Sequence, residues 1–261
     1  MLTLYFSGTG NTRYIAEMFS HKMGATCLSI EKTMDFSKEI KAHDTIAFCY
    51  PIYGSRVPRN IREFVVKHMS ELTGKNIIIL VTQLLFSGDG ARVFTDMFWE
   101  GTINVIYAEH FNMPNNVCNF PLLRKPSQRK IQRYLAKARA KMERTCNNIN
   151  NGVVVKRGFS RPSQILGSIQ GRVWQGNSKE QTTSKSSAEH KARTGVKIHK
   201  HCNACKICVS ICPMQNLEKT QNIIEAKGNC IACYRCVNRC PSKAITVMMF
   251  HRKPKWQYDG I

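Results

Sequence analysis

The sequence predicts two folds in one chain. The first is α/β, a doubly wound five-stranded parallel sheet, and the second is a small α+β domain behind it. Three observations carry this. Five apolar, strand-like stretches alternate with helical patterns across residues 1–151. A glycine-rich turn, Ser7 to Thr12, follows directly on the first of them. Eight of the chain's 12 cysteines fall in two matching runs between Cys202 and Cys240.

Leu2 to Phe6 reads as a buried strand that runs into Ser7-Gly8-Thr9-Gly10-Asn11-Thr12. Tyr14, Ile15, Met18 and Phe19 then recur at helical spacing. Strand, glycine turn and helix is the setting in which a loop can cradle phosphate. Glycines let the backbone curl, helix-start amides point at the anion, and the hydroxyls of Ser7, Thr9 and Thr12 add hydrogen bonds. Arg13 stands where a dinucleotide fingerprint needs its third glycine, and no Gly-Lys-Ser/Thr follows as in a Walker loop. The alternative is an ordinary strand–helix turn. The Ser-x-Thr-Gly-Asn-Thr pattern after a first strand resembles the phosphate loop of flavodoxins, which implies FMN as the ligand.

Ala25–Ile30 reads as strand two and Thr45–Tyr50 as strand three. The loop Pro51-Ile52-Tyr53-Gly54-Ser55-Arg56 follows. The resemblance implies that this loop lines the flavin. Pro51, Tyr53 and Gly54 are then candidate contacts, with Tyr53 stacking on the ring; otherwise Tyr53 is a packed surface tyrosine. Arg56 is either near the flavin's anionic edge or simply solvated. A helix is expected from Pro58 to about Met69. Asn76–Thr82 is the strongest strand, and the loop behind it carries Ser87-Gly88-Asp89-Gly90. By resemblance this is a third flavin loop, with Ser87 and Gly88 as contacts. A helix through Met97, Phe98 and Trp99 and a fifth strand from Thr102 to about Ala108 follow. Phe111 to Asn116 reads as a loop. Pro126 to about Asn150 reads as a long basic helix with Ile131, Leu135, Ala138, Met142 and Ile149 on one face, closed by Gly152. Ile165 to Trp174 suggests a short docking helix. Residues 176–195 are polar, without hydrophobic period, and read as a mobile basic linker.

The cysteine runs read Cys202-x2-Cys205-x2-Cys208-x3-Cys212-Pro213 and Cys230-x2-Cys233-x2-Cys236-x3-Cys240-Pro241. A shift of 28 positions, from 202 to 230, superposes every cysteine and the proline, so this is an internal repeat. The spacing is that of a bacterial iron–sulfur run and predicts two [4Fe–4S] clusters, thiolates being the soft ligands such clusters need. A zinc ribbon would need only two Cys-x-x-Cys pairs and no following proline. The array resembles two-cluster ferredoxins, in which the fourth cysteine crosses to the other cluster. That implies one set of Cys202, Cys205, Cys208 and Cys240 and another of Cys230, Cys233, Cys236 and Cys212. Lys206 and Tyr234 stand where such ferredoxins often have glycine. Of the leftover cysteines, Cys27 and Cys49 fall in strands and read as core.

The whole chain resembles flavodoxin–ferredoxin fusions. The expected domains are 1–151, flavodoxin-like and FMN-binding; 152–197, a basic and partly disordered linker; 198–250, a two-cluster ferredoxin; and 251–261, a tail. The resemblance implies electron transfer between FMN and the clusters in anaerobic metabolism. Two other readings stand beside it: a flavin-dependent reductase of a small substrate fed by the clusters, and a non-redox or sensory iron–sulfur module with a vestigial flavodoxin domain. No Ser-His-Asp arrangement or carboxylate pair supports hydrolysis. The chain opens without an export signal or membrane span, so a cytoplasmic protein with reduced cysteines is expected. Its net charge is +22, from 39 basic and 17 acidic residues. Two clusters and a flavin phosphate would remove roughly six charges, about two each. The remainder favours acidic redox partners, and no motif that reads nucleic acid accompanies it.

Overall fold

The computed structural model describes residues 1–175, 187–248 and 253–261. The chain divides into two compact units. The first comprises residues 1–114 and 128–171, and the second residues 115–127 and 172–261. The expected boundaries at 151 and 198 thus differ from those drawn by packing.

In the first unit, β1 (Leu2–Tyr5), β2 (Thr26–Ser29), β3 (Thr45–Pro51), β4 (Asn76–Gln83) and β5 (Asn104–Asn112) are all parallel. Ile46–Tyr50 and Ile77–Val81 are fully buried. Unbroken apolar runs of this kind belong to strands covered on both faces. The connecting helices are α1 (Asn11–Met23), α2 (Phe36–Lys41), α3 (Arg59–Lys67) and α4 (Met69–Leu72), then α5 (Gln128–Asn150). Helix α5 buries Leu135, Ala138, Met142, Thr145 and Cys146, one stripe at helical spacing. Gly152 follows it at φ 68°, as a left-handed helix stop requires.

Five strands were expected, and among the described residues the sheet has six, in the order β2-β1-β3-β4-β5-β6. The sixth, β6 (Val155–Lys156), lies inside the expected linker and pairs with Tyr107 and Ala108. Two residues are too few to show a period, so only the pairing reveals them. Other parts of that segment also depart from a linker. Helix α6 spans Arg161–Gln175, longer than expected, and α7 spans Ala188–Thr194, where Ser187 caps the His190 amide at 3.1 Å. Residues 176–186 of the expected linker lie outside the described residues.

Strand β5 ends later than expected. Phe111 and Asn112, read as loop, pair with Thr82 and Gln83. The expected helix at Met97–Trp99 is a short 3-10 turn, Arg92–Met97, and Trp99 is 86% exposed. Cys49 is in the core, whereas Cys27, on the edge strand β2, is only half-buried.

The second unit shows the repeat as structure. Helices α8 (Ile207–Ser210) and α9 (Arg235–Arg239) occupy matching places. The antiparallel pairs are β8 (Leu217–Thr220) with β9 (Ile223–Ala226), and β7 (Lys197–Ile198) with β10 (Ile245–Thr246). Asn216, Leu217, Ala244 and Ile245 are all buried at their equivalent positions. Two stretches read as lying outside this fold belong to its core. Cys118 is buried in it, and Asn119 donates to the Val247 carbonyl at 3.1 Å. In the expected tail Tyr258 is 2% exposed, and its amide donates to Asn238 Oδ1 at 2.7 Å. Among the described residues no helix is long and apolar enough to cross a membrane.

Candidate functional site

In a parallel sheet every strand points its carboxyl end to one edge, and ligands bind there where the strand order reverses. Here the reversal falls between β1 and β3, the two strands that carry the Ser7–Thr12 and Pro51–Arg56 loops.

The Ser7–Thr12 loop is pinned from inside. Gly10 takes φ 103°, a value side-chain-bearing residues rarely adopt, and its amide donates to Ser7 Oγ at 3.1 Å. Among the described residues no side chain caps α1 at Gly10, and no acidic residue lies in its first turn. The positive end of the helix dipole therefore faces the loop without a carboxylate to offset it. Asn11 Nδ2 donates to the Pro114 carbonyl at 2.9 Å, which ties the loop to the chain just past β5. The Thr12 hydroxyl is buried and lies 2.7 Å from that of Thr82. Thr12 thus braces the loop from below. Thr9 is half-exposed.

Thr82 is the residue that sequence reasoning missed. Besides the bond to Thr12, its carbonyl accepts the Ile52 amide at 2.9 Å, so it joins the first loop to the second. The available signal was a threonine ending an otherwise aliphatic strand.

The second loop is a tight turn. Tyr53 and Arg56 exchange backbone hydrogen bonds at 3.2 and 3.0 Å, and Gly54 and Ser55 both take positive φ, 56° and 58°. Pro51 is the last residue of β3, opposite Thr82, and Tyr53 is half-buried. Arg56 turns away from an exposed role. It pairs with Asp89 at 3.8 Å and donates to the Gly167 carbonyl at 3.4 Å. Burial lowers its pKa, partly offset by Asp89.

The third loop packs on the second. Ser55 Oγ lies within hydrogen-bond reach of two acceptors, the Ser87 carbonyl and Oε1 of Gln170 in α6, and its one proton can serve either. Ser87 is buried, and its hydroxyl donates to Gln83 at 2.6 Å. Gly88, at φ 50°, lies against the backbone of Gly167, where any Cβ would collide. The structure therefore gathers Pro51, Tyr53, Gly54, Ser87 and Gly88 at one edge of the sheet, with Ser87 and Gly88 turned toward α6.

Beneath this edge Glu109 is buried between Arg157, at 2.6 Å, and Lys141, at 3.3 Å. His110 beside it is 4% exposed, and among the described residues its Nε2 has no hydrogen-bond partner. Burial first, then Arg157 and Lys141, push its pKa down to about 4. The unfolded chain binds this proton near pH 6.5 and the folded chain does not. Stability is thus whole above pH 6.5 and lost as pH falls toward 4, by on the order of 3 kcal/mol. Urea unfolding of wild type should show that slope, and His110→Gln should flatten it; an equal slope in both would reject His110 as its source.

Thiols of the two cysteine runs approach one another in the second unit. The Cys208 thiol is pushed up to about 11 by burial and then by Cys240, Cys202 and Cys205. The Cys236 thiol is raised well above its usual value by burial and then by Cys233, Cys230, Cys212 and Cys208. A cavity of about 370 Å³, counting space open to solvent, is lined by Cys212, Cys230, Cys233 and Cys236. Backbone amides of Ala204 and Ala232 donate to the sulfurs of Cys202 and Cys230 at 3.4 and 3.3 Å. Those of Asn216 and Ala244 donate to Cys212 and Cys240, both at 3.3 Å. Such donors stabilise thiolate charge and tune cluster potential. Lys206 and Tyr234, the departures from glycine, both take left-handed φ, 64° and 61°. A non-glycine residue there costs on the order of 1 kcal/mol, and it explains why glycine suits the position. Among the described residues no three His, Cys, Asp or Glu gather as ligands of a single metal ion would. A cubane asks for a wider set, each thiolate gripping a different iron.

The flavodoxin domain family model matches residues 2–120, and the 4Fe-4S dicluster domain model matches residues 201–245. The chain joins a flavodoxin domain to a 4Fe–4S dicluster domain. Its sheet is of flavodoxin type, extended by β6. The domains give the chain an electron-transfer role with flavin and iron–sulfur groups. Among curated proteins none matches. Among solved structures the two-electron reduced flavodoxin of Megasphaera elsdenii is similar at 19% identity and TM-score 0.38. That match covers 54% of this chain and 99% of that one. Flavodoxin 2 of Bacillus cereus is similar at 17% identity and TM-score 0.36, covering 55% and 97%. A flavodoxin from the domain Archaea is similar at 13% and 0.34, covering 55% and 96%. The residues present fit both groups: the flavodoxin domain offers a glycine turn leading into a helix start, and the dicluster domain offers thiols of both runs around one cavity, with backbone amides donating to four of the sulfurs.

Proposed function

We propose that the protein is an electron carrier that passes electrons between FMN, held by the flavodoxin domain, and two [4Fe–4S] clusters, held by the dicluster domain. The observation that carries this is Cys212 of the first run lining one cavity with Cys230, Cys233 and Cys236 of the second, in a chain that also presents the Ser7–Thr12 loop at the strand-order reversal. FMN exchanges one or two electrons and each cluster one, so joining them converts between the two currencies.

The protein's own residues bind and position. The α1 amides, with Gly8 and the hydroxyls of Ser7 and Thr9, would hold the FMN phosphate, and Gly10, Asn11, Thr12 and Thr82 fix the shape of that loop. Tyr53 would cover one face of the ring. Cys202, Cys205, Cys208 and Cys240 would hold one cluster and Cys230, Cys233, Cys236 and Cys212 the other. The excess of basic residues favours an acidic redox partner.

Anaerobic reconstitution with iron, sulfide and FMN should give about eight irons and one FMN per chain. Iron without flavin would leave the dicluster domain as a ferredoxin with a vestigial partner and sink the carrier reading. Thr9→Val should weaken FMN by about tenfold through one lost hydrogen bond to a charged group, with iron content unchanged. Asn11→Ala should act in the same direction by loosening the loop from Pro114. Loss of iron in either variant would contradict two separately loaded domains.

A further inference from the structure

The two halves of the repeat match in backbone but not in exposure. In the first loop Asn203, Cys205, Lys206 and Ile207 are exposed, Ile207 by 41%. In the second loop the residues 28 places on, Ile231, Cys233 and Tyr234, are 6%, 7% and 4% exposed. Tyr234 and Ala232 share a core cluster with Cys118, so the second loop is closed over by its own unit. The first loop lies open. It is also basic: Lys200 and Lys206 are exposed, and no acidic residue occurs between Glu189 and Glu218.

We infer that the Lys200–Ile207 loop is the docking surface for an acidic one-electron redox protein, and that the set Cys202, Cys205, Cys208 and Cys240 is the cluster through which electrons leave or enter the dicluster domain. This rests on the carrier reading above. Electron transfer weakens steeply with distance, so the exposed set gives an outside partner its closest approach. The lysines around it steer carboxylates, which raises encounter rates at low salt. Ile207 supplies an apolar centre inside that basic rim, the usual anatomy of a transient contact. The buried set, enclosed by Tyr234, then serves as the inner station. The step is a bare one-electron exchange: the cluster is oxidised, the partner reduced, and no bond or proton moves.

The probes are small complexes of opposite charge. The full chain, reconstituted and reduced, is mixed at low salt with anionic ferricyanide or cationic hexaamminecobalt(III), each taking one electron. Lys200→Glu with Lys206→Glu should slow ferricyanide by about tenfold and speed the cobalt complex, an effect that salt screens. Lys219→Glu with Lys227→Glu, the same charge change on the β8–β9 hairpin, should leave both rates within about twofold. The neutral pair Lys200→Gln with Lys206→Asn, which keeps a residue tolerant of left-handed backbone, should give an intermediate effect in the same direction. Iron content and reduction potentials are measured first on every variant. A preparation without clusters fails at that assay and removes the carrier reading together with this inference. Clusters present with both lysine pairs equally sensitive, or with the hairpin pair the more sensitive, would overturn the inference alone.

Discussion

Replacing Cys240 by alanine should remove the cluster whose other ligands are Cys202, Cys205 and Cys208, although Cys240 belongs to the second run. Iron should fall from about eight to about four per chain. The spectrum lost should match that lost in Cys202→Ala, and the double variant should lose no more than either single one. Such non-additivity marks residues that act on one unit. Cys212→Ala should remove the other cluster, in common with Cys233→Ala. The physical basis is the placement of Cys240 beside Cys208, where it raises that thiol's pKa ahead of Cys202 and Cys205. If Cys240→Ala and Cys233→Ala removed the same cluster, the ligation would follow sequence order and the crossed assignment would be wrong.

Gly10→Ala should cost the flavodoxin domain most of its FMN affinity. Gly10 sits at φ 103°, ψ −32°, where a Cβ is strained by on the order of 2 kcal/mol. The variant relieves that strain by reshaping the loop, and binding must then restore the original shape. The same 2 kcal/mol corresponds to roughly 30-fold in Kd. Flavin fluorescence titration measures it, with iron content as the internal control. An unchanged Kd would mean that the Ser7–Thr12 loop does not set FMN affinity in this conformation.

Much of the candidate site was legible because it is encoded locally. The turn at Ser7–Thr12 is six consecutive residues, and each cysteine run fits within one loop. The resemblance to ferredoxins marked Lys206 and Tyr234 as departures from glycine, and both take left-handed φ. Long apolar strands such as Asn76–Gln83 are legible for the same reason, since burial on both faces leaves a continuous signal.

What was missed depends on partners distant in sequence. Strand β6 has two residues and exists only because Tyr107 and Ala108 offer it an edge. Thr82 gains its role from Thr12, and Ser55 gains its role from Ser87 and Gln170. Arg56, free to be solvated in the sequence, is claimed by Asp89 and the α6 backbone. Residues 115–127 and 253–261 carry no period or motif, yet Cys118 and Tyr258 are buried in the second unit.

The chemistry is written locally, because ligand type and spacing set which group a loop can hold: thiols at ferredoxin spacing for iron–sulfur, and a glycine turn between strand and helix for phosphate. How those loops are used follows from packing between distant segments. That packing brought Cys240 to Cys208, braced Thr12 on Thr82, and left the Lys200–Ile207 loop open while burying its repeat around Tyr234. Two loops of the same local sequence pattern share a backbone. Their exposure is a property of what packs over them, and no local pattern contains that.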